Sequence, residues 1–142
     1  MGILISENAA ETRKFAKNLA KKWLKQGLRK KALIIGLTGE LGSGKTVFVQ
    51  GFAKASGVKE RVLSPTFVIL KKFKNFIHID AYRIKKPKEI IDLGWKKLIN
   101  NPQNIILAEW AEKIKRILPK KHLQINFEHL SRNKRKITWK KL

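Results

Sequence analysis

A chain of 142 residues can form one sheet covered by helices, but it is too short for a phosphate-binding domain plus a separate substrate domain. It has no cysteine, which excludes disulfides, thiolate nucleophiles and zinc–thiolate sites. Its net charge of +23, from 33 Lys and Arg against 10 Asp and Glu, would attract RNA or another polyanion. A lysine-heavy composition with a merely solvated surface explains that charge equally well, because the basic residues spread from Lys14 to Lys141 rather than gathering in one stripe. No apolar run approaches the roughly 20 residues of a membrane span, and the N-terminus lacks a signal peptide's basic start and apolar middle. The expectation is a soluble, cytoplasmic protein.

In chain order, Ile3-Leu4-Ile5 reads as a short strand, and Ser6 offers an N-cap for a helix running to about Gln26. Phe15, Ala16, Leu19, Ala20, Trp23 and Leu24 recur at helical spacing, so this helix buries one face before Gly27 ends it. The apolar run 32–37 then reads as a buried strand, and it feeds Gly39-Glu40-Leu41-Gly42-Ser43-Gly44-Lys45-Thr46. These residues spell G-x-x-x-x-G-K-[ST], the phosphate-cradling P-loop. The glycines let successive N–H groups point inward at an anion, and the helix beginning near Lys45 adds the positive end of its dipole. In such a loop Lys45 reaches the β- and γ-phosphates and the Thr46 hydroxyl binds Mg²⁺. The G-x-G-x-x-G spacing of a dinucleotide site is absent.

The helix after the loop spans about Thr46 to Ser56, with Val47, Phe48, Phe52 and Ala55 on one face and Gly57 beyond its end. The turn Ser64-Pro65-Thr66 follows, then two β-rich runs, Phe67 to Phe73 and Phe76 to Ile79, and a Pro-started helix over Pro87 to Leu98. The run Ile105-Ile106-Leu107-Ala108 is a further strand. The tail alternates like an exposed-edge hairpin, Leu123 to Glu128 and Arg135 to Lys140, around Ser131-Arg132-Asn133. No repeat, low-complexity linker or domain boundary interrupts the chain, so 1–142 reads as one domain. The fold expected is an α/β P-loop nucleotide-binding sandwich, with a central parallel sheet and antiparallel strands added at its edges.

Ligands in such sheets gather at the carboxyl ends of the parallel strands, where two acids stand: Asp80 after Phe76 to Ile79, and Glu109 after Ile105 to Ala108. An apolar run closed by an acid is the Walker B pattern, whose carboxylate holds Mg²⁺ directly or through water. Metal ligand, outer-shell partner and orienter of the attacking water are the three jobs open to the pair, and a strand-end acid also serves simply to start a turn. Thr66 lies where P-loop GTPases keep a γ-phosphate-sensing threonine, although an ordinary proline turn reads the same way. His78, alternating with Ile77 and Ile79, reads first as a structural hydrogen-bonder. Trp110 suits either the core or stacking on a base or partner.

Gly39 to Thr46, Ser64-Pro65-Thr66-Phe67, His78-Ile79-Asp80-Ala81-Tyr82-Arg83, Leu93-Gly94 and Glu109-Trp110-Ala111-Glu112 together resemble the TsaE (YjeE) family. That family comprises the small bacterial ATPases of tRNA threonylcarbamoyladenosine synthesis. The resemblance spans nearly the whole chain, including Glu11-Thr12, and departs from the family at Ala111, where many members carry proline. It implies that the loop from Gly39 to Thr46 binds ATP, that Thr46 and Glu109 ligate Mg²⁺, and that Asp80 assists hydrolysis. It further implies that Thr66 lies in a switch-like loop and that Arg132 approaches the nucleotide. The partners it implies are the TsaD and TsaB subunits, with tRNA reached through their complex. From the residues alone, a small kinase or a nucleotide-gated RNA-binding module remain alternatives.

Overall fold

The computed structural model describes residues 1–27, 29–63 and 68–142. One seven-stranded sheet organises them. Strand β1 is Gly2–Ser6, β2 Leu33–Gly39, β3 Leu70–Phe73, β4 Phe76–Asp80, β5 Ile105–Glu109, β6 Leu123–His129 and β7 Arg135–Lys141. Their spatial order is β1-β7-β6-β2-β5-β4-β3. Pairings β6–β2, β2–β5 and β5–β4 are parallel, whereas β4–β3, β6–β7 and β7–β1 are antiparallel. The architecture is therefore the expected one, a parallel centre flanked by antiparallel strands.

Helices α1 (Ala9–Leu24) and α2 (Lys45–Ala55) cover one face. Side-chain alternation sends Ile35 and Leu37, Ile105 and Leu107, and Leu123, Ile125 and Phe127 to that side, where they pack with Phe48, Phe52, Ala16 and Leu19. The two helices approach closely at Gly51, where an added Cβ would stand 2.6 Å from the Arg13 carbonyl oxygen. The other face buries Ile34, Ile77, Ile79, Ile106 and Ala108 under α3 (Lys88–Ile91), α4 (Trp95–Ile99) and a short 3-10 helix, Ala111–Ile114.

Three local expectations change. The cap of α1 is Asn8, whose side chain accepts from the Glu11 N–H at 2.9 Å, while Ser6 ends β1 with its hydroxyl 2.7 Å from that of Thr12. The helix expected over Pro87 to Leu98 is two short helices, parted at Gly94, which adopts a left-handed φ of 93°. The tail hairpin is not the exposed edge, since β6 pairs with β2 and β1 covers β7. Its alternation has another cause: Leu123, Ile125, Phe127 and Ile137 face the α1–α2 core, and Gln124 and Asn126 face away from it. Among the described residues, no helix is long and apolar enough to cross a membrane.

Candidate functional site

The carboxyl ends of β2, β4 and β5 converge beside the N-terminus of α2. The loop leaving β2 carries the glycines found by sequence, and Gly44, the residue before α2, has φ 104°, a conformation that side chains rarely tolerate. This lets α2 start abruptly and leaves its first N–H groups facing the loop. Ser43 is buried there, and among the described residues its hydroxyl has no hydrogen-bond partner.

Lys45, the first residue of α2, is also buried. Its ammonium donates to the carbonyls of Gly39 and Glu40, the latter at 2.9 Å, and lies 4.1 Å from the centre of the Trp110 ring. Burial holds the Lys45 pKa below its ordinary 10.5, while the negative charges of Glu109, Glu112 and Asp80 act in the opposite direction.

Thr46, one residue on, meets the end of β5. Its hydroxyl stands 3.0 and 3.2 Å from the two carboxylate oxygens of Glu109, and His78 Nε2 lies 2.6 Å from Oε2 of the same group. Glu109 and His78 are 3% and 1% exposed, so this carboxylate is held by its neighbours rather than by solvent. Strand parity explains the meeting. Residues 105, 107 and 109 of β5 face α2, as do 76, 78 and 80 of β4, and His78 aligns with Leu107 in the register. Asp80 pairs directly with Glu109 across the strands, yet is only partly buried and accepts the Tyr82 N–H at 3.0 Å.

A cavity of about 760 Å³ joins these parts. Leu41, Gly42, Ser43, Gly44, Lys45, Thr46, Asp80, Glu109 and Arg132 line it, whereas Gly39 and Glu40 lie behind and supply the carbonyls that hold Lys45. Thr66, the remaining residue expected at the site, lies outside the described residues, as do Ser64, Pro65 and Phe67. Arg132 is exposed at the hairpin turn.

Sequence reasoning missed Arg135, which donates to the carbonyls of Ser131, Arg132 and Lys134 at 3.1, 3.2 and 3.0 Å and to that of Gly42 at 3.2 Å. It ties the hairpin turn to the glycine-rich loop, a contact with no local signal because 93 residues separate the partners. It also missed the link from His78 to Glu109, whose signal was available: His78 is two residues before Asp80 and so shares its face. Asn8, Ala9 and Thr12, at the start of α1, complete one wall.

The arrangement suits a phosphate ligand with a divalent cation. The loop offers N–H groups, a buried hydroxyl and a buried ammonium. Thr46 and Glu109 offer two hard oxygen donors side by side, a set that suits Mg²⁺ completing its shell with phosphate oxygens and water. Among the described residues no three His, Cys, Asp or Glu side chains form a metal-binding group.

Fold and site define a mixed α/β protein with a glycine-rich loop and a buried strand-end carboxylate at the carboxyl edge of its sheet. A family model described as "Threonylcarbamoyl adenosine biosynthesis protein TsaE" matches residues 6–137, and the chain belongs to that family. It is similar to the Rickettsia felis tRNA threonylcarbamoyladenosine biosynthesis protein TsaE, 41% identical over 138 residues, covering 94% of this chain and 76% of the relative. The Bacillus subtilis protein of the same name is 35% identical over 136 residues, 93% of this chain and 80% of that one. The crystal structure of Bacillus subtilis YdiB superposes with a TM-score of 0.74 at 29% identity, covering 97% of this chain and 83% of that one.

Proposed function

We propose that this chain is the Mg²⁺-dependent ATP-binding and ATP-hydrolysing subunit of tRNA threonylcarbamoyladenosine synthesis, a cytoplasmic protein acting with TsaD and TsaB subunits. The observation that carries this reading is the meeting of the Gly39–Thr46 loop with buried Glu109 in one cavity. Bound ATP supplies the transferable phosphoryl group, and Mg²⁺ neutralises charge on its phosphates.

The chain's own residues do the rest. The loop N–H groups and Lys45 bind phosphate oxygens, and Lys45 exchanges its backbone carbonyls for a charged partner. Thr46 and Glu109 hold the metal, and His78 fixes the Glu109 carboxylate in place by its hydrogen bond. Asp80, one strand away and more open to water, orients the attacking water. Arg132 covers the phosphates from the hairpin, and Thr66 senses the terminal phosphate, an assignment resting on its sequence motif. Transfer of the threonylcarbamoyl group falls to the partners.

The fate of a labelled γ-phosphate tests the proposal. With TsaD and TsaB present, phosphate is expected in water. Transfer to an added acceptor would make the chain a kinase, and ATP-gated RNA binding without turnover would make it a binding module.

A further inference from the structure

The basic residues look scattered along the sequence, but the fold collects some of them. From residue 12 to residue 39 there are nine Lys and Arg and no Asp or Glu. Six of the nine, Arg13, Lys14, Lys17, Lys21, Lys22 and Lys25, fall on or directly after α1. Lys14, Lys17, Lys21 and Lys25 follow one another at steps of three, four and four residues. They form a single stripe along a 16-residue helix, which is about 24 Å long. Lys14, Lys21 and Lys25 are exposed, and Lys17 is half-buried.

No basic residue of this stripe makes an ion pair among the described residues. Neighbouring like charges such as Lys17 and Lys21 destabilise a helix, and this one has no acid beyond Glu11 to offset them. Some of the basic surface elsewhere is offset by acids: Lys134 and Lys136 pair with Glu7 and Glu128, and the segment around α3 interleaves Lys86 and Lys88 with Glu89 and Asp92.

We propose that the outer face of α1 is a docking surface for the phosphate backbone of a base-paired RNA stem. The reading above identifies that RNA as tRNA; only this identity, not the RNA surface itself, rests on that reading. Two features select an RNA stem over other polyanions. The apolar face of α1 is spent on α2, through Ala16, Leu19 and Ala20, so the helix has nothing to insert into a lipid surface. The stripe itself carries no aromatic side chain on which unpaired bases could stack, so contact is with phosphates and is indifferent to sequence.

The experiment measures binding of fluorescent tRNA transcript and of an unrelated RNA hairpin to the full chain across a salt series. It compares wild type, a variant with Lys14→Glu, Lys21→Glu and Lys25→Glu, and a charge-matched control with Lys96→Glu, Lys97→Glu and Lys115→Glu on the opposite side of the sheet. Wild type and control are expected to bind both RNAs alike with a steep salt dependence, and the α1 variant to lose about one unit of log–log slope per lysine. Polyglutamate is expected not to compete. Equal losses in both variants would reduce the effect to net charge and overturn the proposal, as would no RNA binding by wild type. Competition by polyglutamate as strong as by RNA would assign the face to an acidic protein instead. ATP turnover, followed in parallel, is expected to be the same in all three proteins. Its absence from wild type would sink the ATPase reading while leaving the RNA result to stand or fall by itself.

Discussion

The ends of β5 and β4 lie side by side and begin from the same sequence pattern, an apolar run closed by an acid, yet the fold treats the two acids differently. Glu109 is buried between Thr46 and His78, whereas its cross-strand partner Asp80 is partly open to water and takes up a backbone N–H at the following turn. The difference arises from what lies beyond each strand end: β5 stops against the first turn of α2, and β4 stops at the cavity mouth. A buried carboxylate held by two donors keeps a fixed position, and one partly open to water is placed to meet it.

The largest effect should come from removing the buried acid. Glu109→Ala leaves the Thr46 hydroxyl and His78 without this acceptor, at about 1–3 kcal/mol for each group stranded, and should cost more than Asp80→Ala, whose side chain is partly open to water. Urea unfolding of the two variants checks the contrast, and equal losses would erase the distinction between the strand ends. Next is Lys45→Ala, which removes the charged contact proposed to phosphate and should weaken ATP binding by about 1.5–3 kcal/mol in a folded protein. Calorimetric titration with ATP measures it, and unchanged affinity would refute the role given to the loop.

His78→Phe keeps a ring of similar size and deletes the bond to Glu109. Stability should fall by about 1 kcal/mol or somewhat more, and Mg²⁺ should bind less tightly because the carboxylate is no longer held. A variant with unaltered Mg²⁺ affinity would make His78 a packing residue only.

The smallest effect is electrostatic. Because burial lowers the Lys45 pKa in the folded chain, the unfolded chain holds that proton more tightly, and the charged form costs stability at neutral pH. That cost is relieved as pH rises through the lowered pKa and has gone by the ordinary value of 10.5. Wild type should therefore gain stability relative to Lys45→Met as the pH becomes alkaline, read as the change in Tm difference between the two; a constant difference would contradict the burial of that ammonium.

Much of this was legible in the sequence where signals were local. The strand–loop–helix from Ala32 to Ala55 declares itself through its apolar run and three glycines, and both acids were marked by the runs before them. What escaped depended on neighbours distant in the chain. Nothing in Leu123 to His129 says that this strand pairs with β2, and its alternation is what an edge strand would also show. Leu93-Gly94 reads as a motif but not as a helix break, because the i, i+4, i+7 spacing of Ile91, Trp95 and Leu98 continues across it. The stripe on α1 was hidden differently: its lysines are spaced along the chain, and only winding them at 3.6 residues per turn aligns them.

The proposed chemistry divides its labour between two adjacent carboxylates, and steady-state ATP hydrolysis with TsaD and TsaB tests that division, with Mg²⁺ titrated against Glu109→Gln and Asp80→Asn. Glu109→Gln should raise the Mg²⁺ concentration needed for half-maximal rate. Asp80→Asn should leave that midpoint in place and lower kcat, as expected for a group acting mainly in the transition state. If Asp80→Asn moves the Mg²⁺ midpoint and Glu109→Gln does not, the metal sits at the other strand end; if both hydrolyse ATP as wild type does, neither acid takes part in the chemistry.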